Sequence, residues 1–223
     1  LRKRADTYFK ENKISKHYNS TMVMKTVVLL SAYLIPFICI LALNPSFKIA
    51  LGLWSIMGFG LAGIGMSVMH DANHGAYSSS HKVNYWLGHT LNLLGGSVFN
   101  WKLQHNVMHH TYTNIHEYDD DIADKLILKF NPHSKVKWYH KLQFIYAFFF
   151  YGILTLYWAL LKDFVQFHKY TQQGVNTSSK EENRIIWLKI VASKIGYWTA
   201  MFDLPVFVFH IPFMQILWGF LLM

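Results

Sequence analysis

Two apolar runs of about 20 residues, 22–43 (MVMKTVVLLSAYLIPFICILAL) and 49–69 (IALGLWSIMGFGLAGIGMSVM), are separated only by Asn44-Pro45-Ser46-Phe47-Lys48. Each run has the length of a helix that crosses a hydrocarbon core about 30 Å thick. Lipid offers no hydrogen bonds, so such a run must satisfy its own backbone, and a helix does so within one segment. The Asn-Pro-Ser link reads as a tight turn, and the pair therefore reads as a hairpin that leaves one face of a membrane and returns to it. Composition agrees: 52% of residues are hydrophobic and only 15% charged, against about 25% charged in a soluble domain. The eight Trp and 13 Tyr suit a chain with long membrane–water perimeters. Gly52, Gly58, Gly60, Gly63 and Gly65 lie in the second run, where small residues make a seam for close helix packing.

Charge orients the hairpin. The formal net charge is +9, and the arm 1–20 holds Arg2, Lys3, Arg4, Lys10, Lys13 and Lys16 against Asp6 and Glu11. Basic residues beside the first span stay in the cytoplasm. Anionic headgroups are a nearer partner for this arm than nucleic acid, so no nucleic-acid partner is expected. The sequence reads as one partial domain, 1–223, of an all-α integral membrane fold. A basic arm (1–20) leads into the transmembrane hairpin (22–69), then a polar cytoplasmic region (70–141) with a short apolar dip at 85–99. An embedded or interfacial helix (142–161), a polar link (162–184) and later transmembrane helices (185–223) broken at Pro205 and Pro212 follow. The parity of the crossings keeps 162–184 inside only if 142–161 lies against the cytoplasmic leaflet.

The polar region carries His70-x-x-x-His74 and His105-x-x-x-His109-His110. On an α-helix, residues i and i+4 share a face about 5–6 Å apart, so each pair can offer two imidazoles to one ion. His110 falls about 100° further round, better placed for a second ion. Chance alone gives about 0.8 pairs at this spacing in a chain so rich in histidine, but only about 0.04 of the triple. Cys39 is the sole cysteine, so no intramolecular disulfide forms and a transition metal must be held by nitrogen and oxygen. No Glu stands between His70 and His74, which sets aside the zinc-protease arrangement.

The segments HDANHGAYS (70–78) and WKLQHNVMHHTYTNI (101–115) closely resemble the first two histidine boxes of membrane fatty acid desaturases, most of all the acyl-lipid and front-end branch and its bacterial acyl-CoA relatives. The order of hairpin, box, shallow segment, box and later helices is similar over nearly the whole chain. The resemblance implies two non-haem iron ions that activate O₂, with removal of hydrogen from an acyl methylene and a cis double bond as product. It implies His70, His74, His105, His109 and His110 as metal ligands, an active site facing the cytoplasm, and a fatty acyl-CoA or acyl-lipid substrate taken from the bilayer. An external electron-transfer protein of the ferredoxin or cytochrome b5 type is implied as partner. The family's third box has no counterpart after box two, where only His116, His133, His140, His168 and His210 follow singly. It is expected beyond residue 223, and this polypeptide alone is expected to be inactive. A hydroxylase on the same scaffold, or a zinc-binding or zinc-transporting membrane protein, are the rival readings. Transport predicts ionisable residues inside the spans, whereas Lys25, Lys189 and Lys194 fall near predicted ends.

Asp71 stands as a candidate acceptor for a ligating imidazole or as a helix cap. His89 is expected to make an ordinary polar contact. Glu117, Asp119, Asp120, Asp121 and Asp124 read as a solvated acidic loop rather than a cation site.

Overall fold

Every regular element is helical among the residues that the computed structural model describes, 1–124 and 127–223. The chain divides into two compact units, Leu1–Leu91 with Met223, and Asn92–Leu222.

In the first unit a short helix, α1 (Arg2–Glu11), precedes the two long ones, α2 (Ser20–Leu43) and α3 (Phe47–Asn73). Asn19 starts α2 by accepting the Met22 amide on its side chain, which satisfies one of the orphan donors of a helix start. Asn44 ends it in the left-handed region at φ 40°, its amide donating to the Ile40 carbonyl. The predicted turn is therefore shorter than drawn, because Phe47 and Lys48 already belong to α3. The seam between the helices includes Gly60, where a Cβ would come within 2.8 Å of the Tyr33 amide nitrogen and 3.0 Å of the Ala32 carbonyl carbon. Tyr33, Ile40, Trp54, Met57 and Ile64 are buried, while Val27, Ile35, Ile38, Phe59 and Met66 point outward. An apolar exterior of this kind is matched to lipid.

The second helix does not stop at residue 69. A π turn over Ile64–Val68 leads straight into Met69–Asn73, so box one is the last turn of the span itself. Asn73 is buried there and donates to the Gly88 carbonyl of α4 (His81–Gly88) at 3.1 Å. Between them, the Tyr77 hydroxyl meets Thr26 of α2 at 2.8 Å and the Tyr18 amide donates to the Tyr77 carbonyl at 2.9 Å. The apolar dip predicted at 85–99 is the end of α4, a 3₁₀ stretch over His89–Leu94, and the start of the box-two helix.

In the second unit, α5 runs over 98–112 as an α turn, a π segment at Lys102–His109 and a last α turn. Ser97 caps it through Asn100. Next comes α6 (Trp138–Gln172), 35 residues long and, with α2 and α3, one of three described helices long and apolar enough to cross a membrane. Hydropathy alone ends this helix at 161 and begins a polar link at 162. The helix instead continues, because its polar residues have buried partners. Asp163 is 3% exposed and ion-paired to Lys194 at 2.7 Å; Lys162 is also buried, over the Trp158 ring. α7 (Lys180–Trp198) opens with a reciprocal cap between Ser179 and Glu182 and passes into π winding over Thr199–Val208. After the break at His210 to Pro212 comes α8 (Phe213–Leu222), close to the predicted turn. Lys194, expected near a span end, is buried in this unit and donates to the Gly95 and Trp158 carbonyls as well as to Asp163.

Candidate metal centre

Box one lies on the final turn of α3. The His70 and His74 rings are 4.6 Å apart, centroid to centroid, as i and i+4 positions should be. The His70 Nδ1 is 3.0 Å from Asp71 Oδ1. An N–H donated to that carboxylate would put the proton on Nδ1 and the acceptor lone pair on Nε2. His89 has the ordinary role expected of it: its Nδ1 lies 2.7 Å from the Tyr85 carbonyl and its ring packs on Tyr85.

Box two departs from α-helical expectation. The His110 amide donates to the His105 carbonyl, five residues back, which is π winding. With about 4.4 residues per turn, positions i+4 and i+5 straddle position i. His109 and His110 accordingly flank His105 at 5.2 and 4.8 Å between ring centroids, with 5.4 Å between themselves. The three rings cluster, but among the described residues of this unit the donor atoms that come within 4.8 Å of one another are those of His105, His109 and Asp121, with His110 outside that set.

The acidic loop is not merely solvated. Asp119 is 2% and Asp120 5% exposed. The chain reverses through Asn114 and Glu117, both at positive φ, and returns the aspartates to α5. Asp119 lies 3.0 and 3.1 Å from His109 Nδ1 through its two oxygens, and also accepts the Asn114 and Asp121 amides. Asp121 Oδ2 is 3.5 Å from His105 Nδ1 and 3.3 Å from His109 Nδ1. Burial works against the charged form of Asp119, but the Asn114 amide, the His109 ring and the Asp121 amide outweigh it and hold the carboxyl below its ordinary range. Asp124 turns the other way and accepts the Phe130 amide and the Asn131 side chain. His116 and His133 pack at 5.2 Å between ring centroids.

The donor chemistry fits a transition metal. Donor atoms of His105, His109 and Asp121 all lie within 4.8 Å of one another. Asp71 and Asp119 stand within hydrogen-bond distance of Nδ1 of His70 and His109, and Asp121 lies 3.5 Å from Nδ1 of His105, an arrangement often found behind a metal-bound imidazole. Sequence reasoning offers Asp71 as an acceptor for an imidazole or as a helix cap and does not single out Asp119 and Asp121, which lie beside His109 and His105. Their only signal was an Asp-x-Asp spacing within an acid-rich stretch.

A profile of the family described as "Fatty acid desaturase" matches residues 45–223. The chain belongs to the fatty acid desaturase family. This desaturase-family chain is 33% identical over 166 residues to the sn-1 linoleoyl-lipid 6-desaturase of Arthrospira platensis, covering 72% of this chain and 44% of that protein. It is 35% identical over 171 residues to the acyl-lipid (8-3)-desaturase of Physcomitrium patens, with 75% and 35% covered. The sn-1 linoleoyl-lipid 6-desaturase of Synechocystis is 31% identical over 169 residues, with 76% and 47% covered. The alignments thus span less than half the length of these relatives. No solved structure matches.

Proposed function

We propose that this chain forms part of an acyl-lipid desaturase, in which His70, His74, His105, His109 and His110 hold two irons through Nε2. The observation that carries the reading is the box-two group: three imidazoles within 5.4 Å of one another, two with Nδ1 against carboxylates. Convergence of the box-one pair on that group is part of the proposal, as are ligands from a third box outside this sequence. When bound, the iron pair supplies the O₂-dependent removal of two hydrogens from neighbouring acyl carbons.

The chain's own residues orient and insulate. Asp71, Asp121 and Asp119 hold the rings in one tautomer, and neutral imidazoles add no charge to a site beside lipid. The balance of the reaction requires one O₂, two electrons and two protons for each double bond formed and two waters released. An external donor of the ferredoxin or cytochrome b5 type supplies the electrons. The acyl-lipid names of the relatives favour a lipid-linked chain over a CoA ester. The basic arm favours a cytoplasmic site, and the polar stretch after α6 favours a helix that lies against the cytoplasmic leaflet.

The test is product analysis of the full-length protein, reconstituted with O₂, a reductant and defined phospholipids or acyl-CoA. A cis double bond in the lipid-linked chain and about two irons per polypeptide are expected. A hydroxylated product, or zinc without O₂ consumption, would overturn the proposal in favour of its rivals.

A further inference from the structure

The three consecutive aspartates alternate in direction. Asp119 and Asp121 turn to the box-two imidazoles, while Asp120 turns to α6, where it accepts the Tyr170 hydroxyl at 2.6 Å and pairs with Lys169. A second connection joins α6 to α5 and, through it, to the same aspartate loop. Gln166 Nε2 is 3.2 Å from the Tyr170 oxygen and 2.6 Å from Gln104 Oε1, and Gln104 Nε2 is 2.6 Å from Asp121 Oδ1. Asp120, Gln166 and Tyr170 are all more than nine-tenths buried.

The polarity of this chain is determined by its ends. Both termini are carboxylates, which only accept. The Tyr170 proton goes to Asp120, so its oxygen must accept from Gln166. The Gln166 amide then spends its two hydrogens on Tyr170 and Gln104, and Gln104 can only turn its own NH₂ toward Asp121. One arrangement of donors satisfies every link, and it anchors the carboxylate that faces both His105 and His109.

We propose that Gln166 and Tyr170, on a helix that supplies no histidine to the proposed centre, are positioning residues for His105 and His109, acting through Gln104 and Asp121. The inference rests on the reading of box two as a metal centre. Removing the relay frees one Asp121 oxygen to rotate and loosens the tautomer and tilt of two imidazoles without removing any proposed ligand.

The test uses the full-length protein with iron bound, comparing wild type, Gln104→Met, Gln166→Met and Tyr170→Phe, with exposed Gln172→Met as the control on the same helix. Supports one step from a metal ligand typically matter about 10- to 100-fold. Loss of iron to a chelator should therefore quicken about tenfold in Gln104→Met and somewhat less in Gln166→Met and Tyr170→Phe. A changed Mössbauer signature and a lower kcat at unaltered KM should accompany it. Gln172→Met should match wild type. Because the two glutamines act in series, Gln104→Met/Gln166→Met should be no worse than Gln104→Met alone. Additive losses, or lower melting temperatures with an unchanged iron signature, would show packing rather than positioning and overturn the relay.

Histidine ¹⁵N NMR of the metal-free full-length protein separates this inference from the functional reading beneath it. The variants should shift the His105 and His109 tautomer signals even there, and unchanged signals count against the relay. Wild-type protein that binds no iron and forms no product would instead overturn the function.

Discussion

At the scale of single residues, the closeness of His70 to His74 and of His105 to His109 was legible because helical spacing brings positions i and i+4 together, whereas the approach of His110 to His105 depends on π winding that no spacing announces. Their carboxylate partners were not legible either. Asp119 reaches His109 from ten positions away, and only because Asn114 and Glu117 turn the backbone through the left-handed region, which no periodicity announces. Replacing Asp119 by Ala should therefore weaken iron retention about 10- to 100-fold in the full-length protein while leaving every proposed ligand in place. Chelator competition reads this directly. Asp124 makes a different prediction, one of pH. Burial opposes its charge, but Ser134, the Phe130 amide, Lys129 and Asn131 together hold its carboxyl below the usual range. For a depressed carboxyl the stabilising contribution is present above the unfolded value, about 3.9, and disappears as pH falls through the lower folded value. Hydrogen exchange at the Phe130 amide, bonded to Asp124 at 2.9 Å, should stay protected at pH 5 and lose that protection only in stronger acid.

At the scale of elements, the hairpin was readable from length and hydropathy, and the packing role given to glycine holds at Gly60. Gly52 shows the limit of that reading, since a Cβ there would meet nothing within 4 Å. Gly60→Ala should lower stability by about 1–3 kcal/mol through overpacking, whereas Gly52→Ala should be neutral or raise it by up to about 1 kcal/mol. Thermal unfolding in detergent distinguishes the two. Helix ends were less legible. The span bearing box one runs past its apolar stretch because π winding passes it into a turn held by Asn73 and Gly88. Likewise α6 outlasts its hydrophobic run because Asp163 meets Lys194, Ser97 and Asn100 inside the fold. Composition marks such residues as surface; only tertiary partners make them interior. Lys194→Met should cost about 3–5 kcal/mol by leaving a buried carboxylate uncompensated. Adding Asp163→Asn should recover part of that loss in the same unfolding experiment.

At the scale of the whole molecule, membrane topology follows from whether α6 crosses. With Cys39 replaced, single cysteines placed at Lys137 and Thr177, both exposed, bracket that helix. If it lies against the cytoplasmic leaflet as proposed, both should react with an impermeant thiol reagent from the cytoplasmic side only; reaction from opposite sides would show that it crosses. The polar character of 173–184 was visible in the sequence. The length of the helix before it was not, since its buried polar residues resemble a loop until their partners are known.

The π segment of box two has a mechanical consequence. A coil that carries an extra residue in its turn can be wound tighter, and re-forming i to i+4 bonds across Lys102–His109 would swing the last imidazole of the trio about 100° round the axis. The geometry of the proposed ligands is thus a function of helical pitch. Any force or substitution that changes the pitch would change the grip on the proposed ion without altering a single donor atom.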